Sequence, residues 1–403
     1  MAGRDTPVER EEVSGLHRYP PLGHPAADRA ASPEWAGLRR VLAVRPDNLG
    51  DVIMLTPALR ALRRAAPSAR LDLLASPAGA ALRPLLPDVD GLLTVSPSWQ
   101  QAGPPPPADR LAVTEQALVG VIAARGYDAV LAFTSPTQSP WPPLHVALLA
   151  GVPVRVGQSA EFAGALATHW VSPPPELTHQ VDRCLHLLNA VGIASAGPQL
   201  ALHLPAGAAD QVTGLLPNSP FALLAPGASC SARRYPAERF ATVAATLAQA
   251  GLPVLVTGTA REQPLVARVV EGAAHRLVQA LPVLDLPALA AVVAAAAVAV
   301  TNNSGGMHLA DALGTPVAVV WSGTERVEEM APRTVASAVL TTPVPCSPCH
   351  QFRCPYHQEC LDLEPAKLAE AALQLARTPA VPAVHPDPEE SMCPPPSPPV
   401  AAR

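Results

Sequence analysis

Two consecutive doubly wound α/β domains facing a cleft are predicted by three features of this 403-residue sequence. Short apolar runs alternate with helical stretches, each run breaks into a small polar turn, and the pattern restarts after a loop-rich interval near residue 210. Alternating strands and helices imply parallel sheets with right-handed crossovers. Since 49% of residues are hydrophobic and only 3% aromatic, Ala, Leu and Val must fill the cores.

The first series opens with a strand at residues 41–44 that ends in Arg45-Pro46-Asp47-Asn48-Leu49-Gly50-Asp51. A helix follows, with Val52, Leu55, Leu59 and Leu62 on one face and Arg60, Arg63 and Arg64 on the other. Its Pro57 is expected near the start, where a missing N–H is tolerated. Residues 71–75 then read as a strand, 112–124 as a helix, 129–133 as a strand, 144–150 as a helix, 152–156 as a strand and 179–191 as a helix. Residues 205–220 read as the interdomain linker, and Pro104 to Pro107 as a stiff loop.

The second series runs strand 221–224, helix 240–250, strand 253–257, helix 264–272, then a buried helix and strand over 286–300. It continues through the turn Thr301-Asn302-Asn303-Ser304-Gly305-Gly306, a helix stopped by Gly314, and a strand at 317–320. The expected organisation is an arm at 1–38, domains at 39–210 and 211–345, a Cys-rich segment with a helix at 346–378, and a Pro-rich tail at 379–403. Arm and tail are expected to be disordered.

The formal charge of -5 excludes a generally nucleic-acid-binding surface, which needs clustered Lys and Arg. No apolar segment reaches the ~20 residues that cross a bilayer, and the opening residues show no secretory signal. A cytoplasmic protein is expected. Oligomeric state is not legible.

Four stretches carry chemistry. Asp51 sits at the start of a helix, where it fits both a helix cap and a general base. Ser304, Gly305 and Gly306 open a helix at the carboxyl end of a strand, where free N–H groups suit a phosphate and His308 lies within reach. A helix-capping loop is the alternative. The loop from Ala225 to Pro236 offers Ser229 and the forked donors of Arg233 and Arg234, while Glu262 stands at another strand end, poised for a ribose or base. Cys346, Cys349, Cys354 and Cys360 match a zinc site in ligand count but not in paired spacing, so zinc, reduced thiols and a disulfide stay open.

Together these segments resemble glycosyltransferase family 9, the ADP-heptose:lipopolysaccharide heptosyltransferases. The resemblance lies in residues 41–52 with Thr56-Pro57-Ala58-Leu59, Pro226-Gly227-Ala228-Ser229 with Arg233-Arg234-Tyr235-Pro236 and Phe240, Asn303 to Ala310, Gly323-Thr324 and the Cys segment. It implies a GT-B architecture of two Rossmann-like domains, with acceptor on the first and nucleotide sugar on the second. It also implies Asp51 as the base of an inverting transfer, with donor contacts from Ser229, Arg233, Arg234, Glu262, Asn303, Ser304, Gly305, Gly306 and His308. The donor would be ADP-heptose or a similar nucleotide sugar, and the acceptor a glycan or lipid-linked saccharide met at the inner face of a membrane. No metal or other cofactor is required for such transfer. Two positions depart from the family pattern: Asn303 stands where Asp is usual, and Arg233 where Lys is usual. Two other readings stay open, a nucleotide-sugar epimerase on the same framework and a four-cysteine metal-binding interaction protein with a degenerate transferase body.

Overall fold

The computed structural model describes residues 32–101 and 103–377. The expected tail, and the expected arm apart from its last seven residues, lie outside these. Those last residues are packed: Trp35 is buried, and its Nε1 donates to the carbonyl of Val191.

The first unit runs β1 (Arg40–Arg45), α1 (Leu49–Ala65), β2 (Arg70–Ala75), α2 (Pro77–Ala80), β3 (Gly91–Thr94), α3 (Ala108–Arg125), β4 (Ala129–Ala132), α4 (Trp141–Leu149), β5 (Val154–Gln158), β6 (His169–Val171) and α5 (Gln180–Ala190). Its strands are parallel in the order β3-β2-β1-β4-β5-β6. After α6 (Ala208–Val212) the second unit runs β7 (Ala222–Ala225), α7 (Ala237–Gln249), β8 (Val254–Val256), α8 (Gln263–Ala273), β9 (Val278–Ala280), α9 (Leu286–Ala295), β10 (Val298–Asn302), α10 (Gly305–Ala312), β11 (Val317–Trp321), α11 (Val327–Met330), β12 (Ser337–Thr341) and α12 (Pro365–Leu375). Here the order is β12-β11-β10-β7-β8-β9, again parallel.

Each sheet therefore reverses direction once, between β1 and β4 in the first and between β7 and β10 in the second. Ligands of open parallel sheets bind outside the strand ends at such a reversal. The central strands are apolar without alternation because helices cover both faces; β10 and β11 are buried at every residue. One apolar core joins α1 and α5 of the first unit to α9 and α10 of the second, so the domain interface is part of the hydrophobic interior. Among the described residues no helix is long and apolar enough to cross a membrane.

Several sequence expectations are corrected. The edge strands β3, β6, β9 and β12 were not expected; they are short, and hydrophobic pattern alone does not mark them. The expected linker contains α6, whose Ala208 and Val212 are buried in the shared core. Arg60 is buried, its Nη2 donating to the carbonyls of Gly197 and Gln199. Pro57 lies well inside α1, not in its first turn. Its ring removes the N–H that would bond the Ile53 carbonyl, and Thr56 Oγ1 donates to that carbonyl instead at 2.7 Å. The same hydroxyl accepts from Ala201 N at 3.0 Å, so the substitute bond also ties α1 to the segment beyond α5.

Candidate active site at the two sheet reversals

At the first reversal, β1 delivers a completely buried Arg45, the turn after it delivers Asp47, and the first turn of α1 delivers Asp51. Arg45 Nη2 donates to Asp51 Oδ1 and to Ser135 Oγ, each at 2.8 Å, and Nε lies 3.1 Å from Asp47 Oδ2. Burial alone would lower the arginine's proton affinity, but the two carboxylates raise it, so the cation is permanent. Burial pushes the Asp47 carboxyl up against the opposing pull of Arg45. Asp51 occupies the third position of α1. Its Oδ2 accepts from Asn48 N at 3.2 Å in a capping box, while Oδ1 is held by Arg45. Capping and orientation by a fixed cation thus coexist in one residue.

At the second reversal, β10 ends in Asn302, and Asn303 follows it. Asn302 is fully buried, accepts from Tyr235 N at 3.0 Å and donates to the carbonyls of Pro226 and Gly227. It therefore ties the loop after β7 to the end of β10. Sequence reasoning gave it no part, because a buried Asn bracing two loops has no local signature. Asn303 is also buried; its Oδ1 accepts from Ser322 N and Oγ at 3.1 and 3.0 Å, and its Nδ2 faces Thr324 Oγ1 at 3.5 Å. The departure at this position thus falls on a side chain committed to the end of β11.

Ser304 is the N-cap of α10 but makes no capping bond through its side chain, so the first helical N–H groups stay open. The far end of the helix is fixed by buried Asp311, which accepts from the backbone N–H groups of Arg333, Thr334 and Val335. Arg233 reaches the same area: its Nη2 pairs with Glu325 at 2.5 Å and its Nε donates to Thr324 Oγ1 at 3.1 Å. Ser229 is exposed on its loop. Arg234 is not a free cation, since Nε and Nη2 both donate to the Ala228 carbonyl and brace that loop. Glu262 closes a capping box with Thr259, and its Oε1 is close to Gly227.

The two reversals meet. A Cβ on Gly50 would lie 2.6 Å from His308 Cδ2 and 3.5 Å from Gly305 Cα. Gly50 was expected to permit a sharp turn; it lies inside α1, and what needs it is this close approach of α1 to α10. His308 is buried, which pushes its pKa down to about 4, so the imidazole is neutral at physiological pH. As a phosphate contact it would offer a single N–H rather than a positive charge.

A cavity of about 550 Å³ lies between the two units, lined by the loops after β4, β5 and β6, by Arg183, and by Arg326, Glu329 and His350 of the second unit. Ser135, which accepts from Arg45, is part of its wall. The Cys segment reaches this cavity through Pro348 and His350 and buttresses the loops after β7 and β11: Cys349 N and His350 N donate to the carbonyls of Gly323 and Thr324, and Ala232 N to that of Phe352. Cys346, Cys349, Cys354 and Cys360 are free thiols. Among the described residues no three His, Cys, Asp or Glu side chains are grouped to hold a metal, so the geometry does not bear out the zinc reading of these four.

Comparison with known proteins gives a consistent picture. The sequence profile of glycosyltransferase family 9 (heptosyltransferase) matches residues 117–359, more than half the chain. The Asp51 turn precedes the matched span. No curated protein sequence matches significantly. Among solved structures, the ADP-heptose lipopolysaccharide heptosyltransferase II of E. coli superposes with a TM-score of 0.66 at 21% identity, covering 84% of this chain and 98% of that one. A family 9 glycosyltransferase from Veillonella parvula gives 0.67 at 20% identity, covering 86% and 99%. E. coli heptosyltransferase WaaC with ADP gives 0.61 at 19% identity, covering 83% and 99%. At these identities the likeness concerns the fold, which is GT-B.

Proposed function

The chain belongs to glycosyltransferase family 9 and is a glycosyltransferase, and from that premise we propose that it transfers a heptose or related sugar with inversion from a nucleotide-diphosphate sugar. ADP-heptose is the donor the family suggests, and related structures carry ADP and a fluorinated ADP-heptose. The acceptor is a cell-surface glycan or a lipopolysaccharide-type saccharide, met by peripheral contact at the inner face of a membrane. The observation that carries the reading is the approach of Gly50 to His308 and Gly305, which brings the start of α1, with Asp51, beside the open start of α10.

In the proposed step the acceptor hydroxyl oxygen attacks the anomeric carbon and its proton passes to Asp51. The bond from that carbon to the diphosphate breaks with both electrons leaving on the nucleotide. Arg45 holds the Asp51 carboxylate in orientation. The departing charge falls to the open N–H groups at Ser304 to Gly306 and to Arg233, fixed donors that need no reorganisation during reaction. Neutral His308 supplies a hydrogen bond, Glu262 and Ser229 flank the nucleoside side, and Asn303 and Arg234 act by holding the donor loops.

A panel of ADP-, GDP- and UDP-sugars tests this by thermal shift and by transfer. ADP-heptose should raise the melting temperature most, because it binds the folded state alone, and the product should show the opposite anomeric configuration by NMR. Retention of configuration, or a donor of another nucleotide class, would refute the assignment.

A further inference from the structure

The geometry points to Arg183 as the anchor for an anionic group, a carboxylate or a phosphate, on the acceptor sugar. This rests on the reading of the first domain as the acceptor side. Arg183 lies in the first turn of α5, is only 7% exposed and lines the cavity between the domains. Its Nε is fully buried without a hydrogen-bond partner, and its side chain makes no ion pair among the described residues. Glu329, on the facing domain, acts on it only through space. A buried guanidinium that touches no carboxylate is costly, and one that faces a cavity is explained when the ligand brings the contacting charge.

Neighbouring groups narrow the ligand. Gln158 Oε1 is also buried without a partner on the same cavity wall, an acceptor atom that a sugar hydroxyl can satisfy. Glu161, Glu176 and Arg326 are exposed on that wall, where water screens them, and Glu329 is half-buried, so Arg183 is the most buried charge of the lining. Forked donors beside a free acceptor fit an oxyanion and a hydroxyl on one molecule. Ser135 of the same wall is bonded to Arg45, which is bonded to Asp51. A sugar in this cavity therefore meets Ser135, which is linked through Arg45 to Asp51.

The test uses the full chain, with glucuronate, glucose 6-phosphate and neutral glucose as probes and ADP as a separate donor-site ligand, all followed by NMR or calorimetry. The wild type should bind at least one anionic sugar about 10-fold or more tighter than glucose, the preferred anion distinguishing carboxylate from phosphate. Arg183→Gln should abolish the preference, bind ADP normally and melt no lower than wild type, because an unpaired buried charge has been removed. Arg183→Lys should keep part of the preference. Equal binding of glucose and the anions alongside normal ADP binding overturns this proposal and leaves the transferase reading standing. Preference retained in Arg183→Gln, or a variant that melts well below wild type, also overturns it. Arg183-dependent anion binding without any ADP binding sustains the anion site and counts against the donor assignment.

Discussion

The two sheet reversals share a strand order but not a chemistry. The first is built from formal charges: Arg45 is buried between Asp47 and Asp51, and Ser135 completes its contacts. The second rests at its centre on neutral amides, with Asn302 and Asn303 spanning two loops and the open N–H groups of α10 beyond them, and its charges, Arg233 paired with Glu325, stand at the rim. An anion could not lie easily against the paired carboxylates of the first, whereas at the second Glu325 is paired with Arg233 and Glu262 is tied to Thr259. The proposed division of labour uses this difference: proton acceptance on one side, stabilisation of a leaving anion on the other.

The comparison can be broken at either side. Asp51→Asn should lower turnover by about 10²–10⁴-fold while leaving donor affinity nearly unchanged, as read by steady-state kinetics with calorimetry. Loss of donor binding instead would move Asp51 to the wrong ligand. Arg233→Ala should act in the opposite sense, weakening ADP binding by about 10–100-fold, with Arg233→Lys recovering part of it. Unchanged ADP affinity would remove Arg233 from the donor side.

The smallest effect concerns His308. In the unfolded chain it titrates near 6.5 and in the fold near 4, so the unfolded state takes up the proton first as pH falls. Its contribution is complete above pH 6.5 and drains away towards pH 4. Between pH 6.5 and 5.5 the loss should be about 1 kcal/mol by urea unfolding. His308→Asn should lack that increment; identical pH profiles would contradict the burial argument.

Much of this was legible in the sequence where chemistry is local. Asp51, Arg233 and the Ser304 turn announce themselves by small residues at strand ends, and strands buried on both faces read as unbroken apolar runs. What escaped depends on tertiary packing. The period of α5 shows a helix but not that Arg183 faces a cavity. Gly50 reads as a turn residue because nothing nearby reveals His308 across the interface. The local partners of Arg234 and Glu262, the Ala228 carbonyl and Thr259, could not be read from the sequence either. Pro57 looks confined to a helix start until Thr56 is found replacing the missing bond.

The central claim is that both reversals serve one reaction across one cleft, and a crystal structure with ADP-heptose bound would test it most directly. The account predicts diphosphate oxygens within hydrogen-bond distance of the Ser304–Gly306 N–H groups and of Arg233, with the anomeric carbon turned towards Asp51. A diphosphate held instead by the loops after β4 and β5 of the first domain would contradict it.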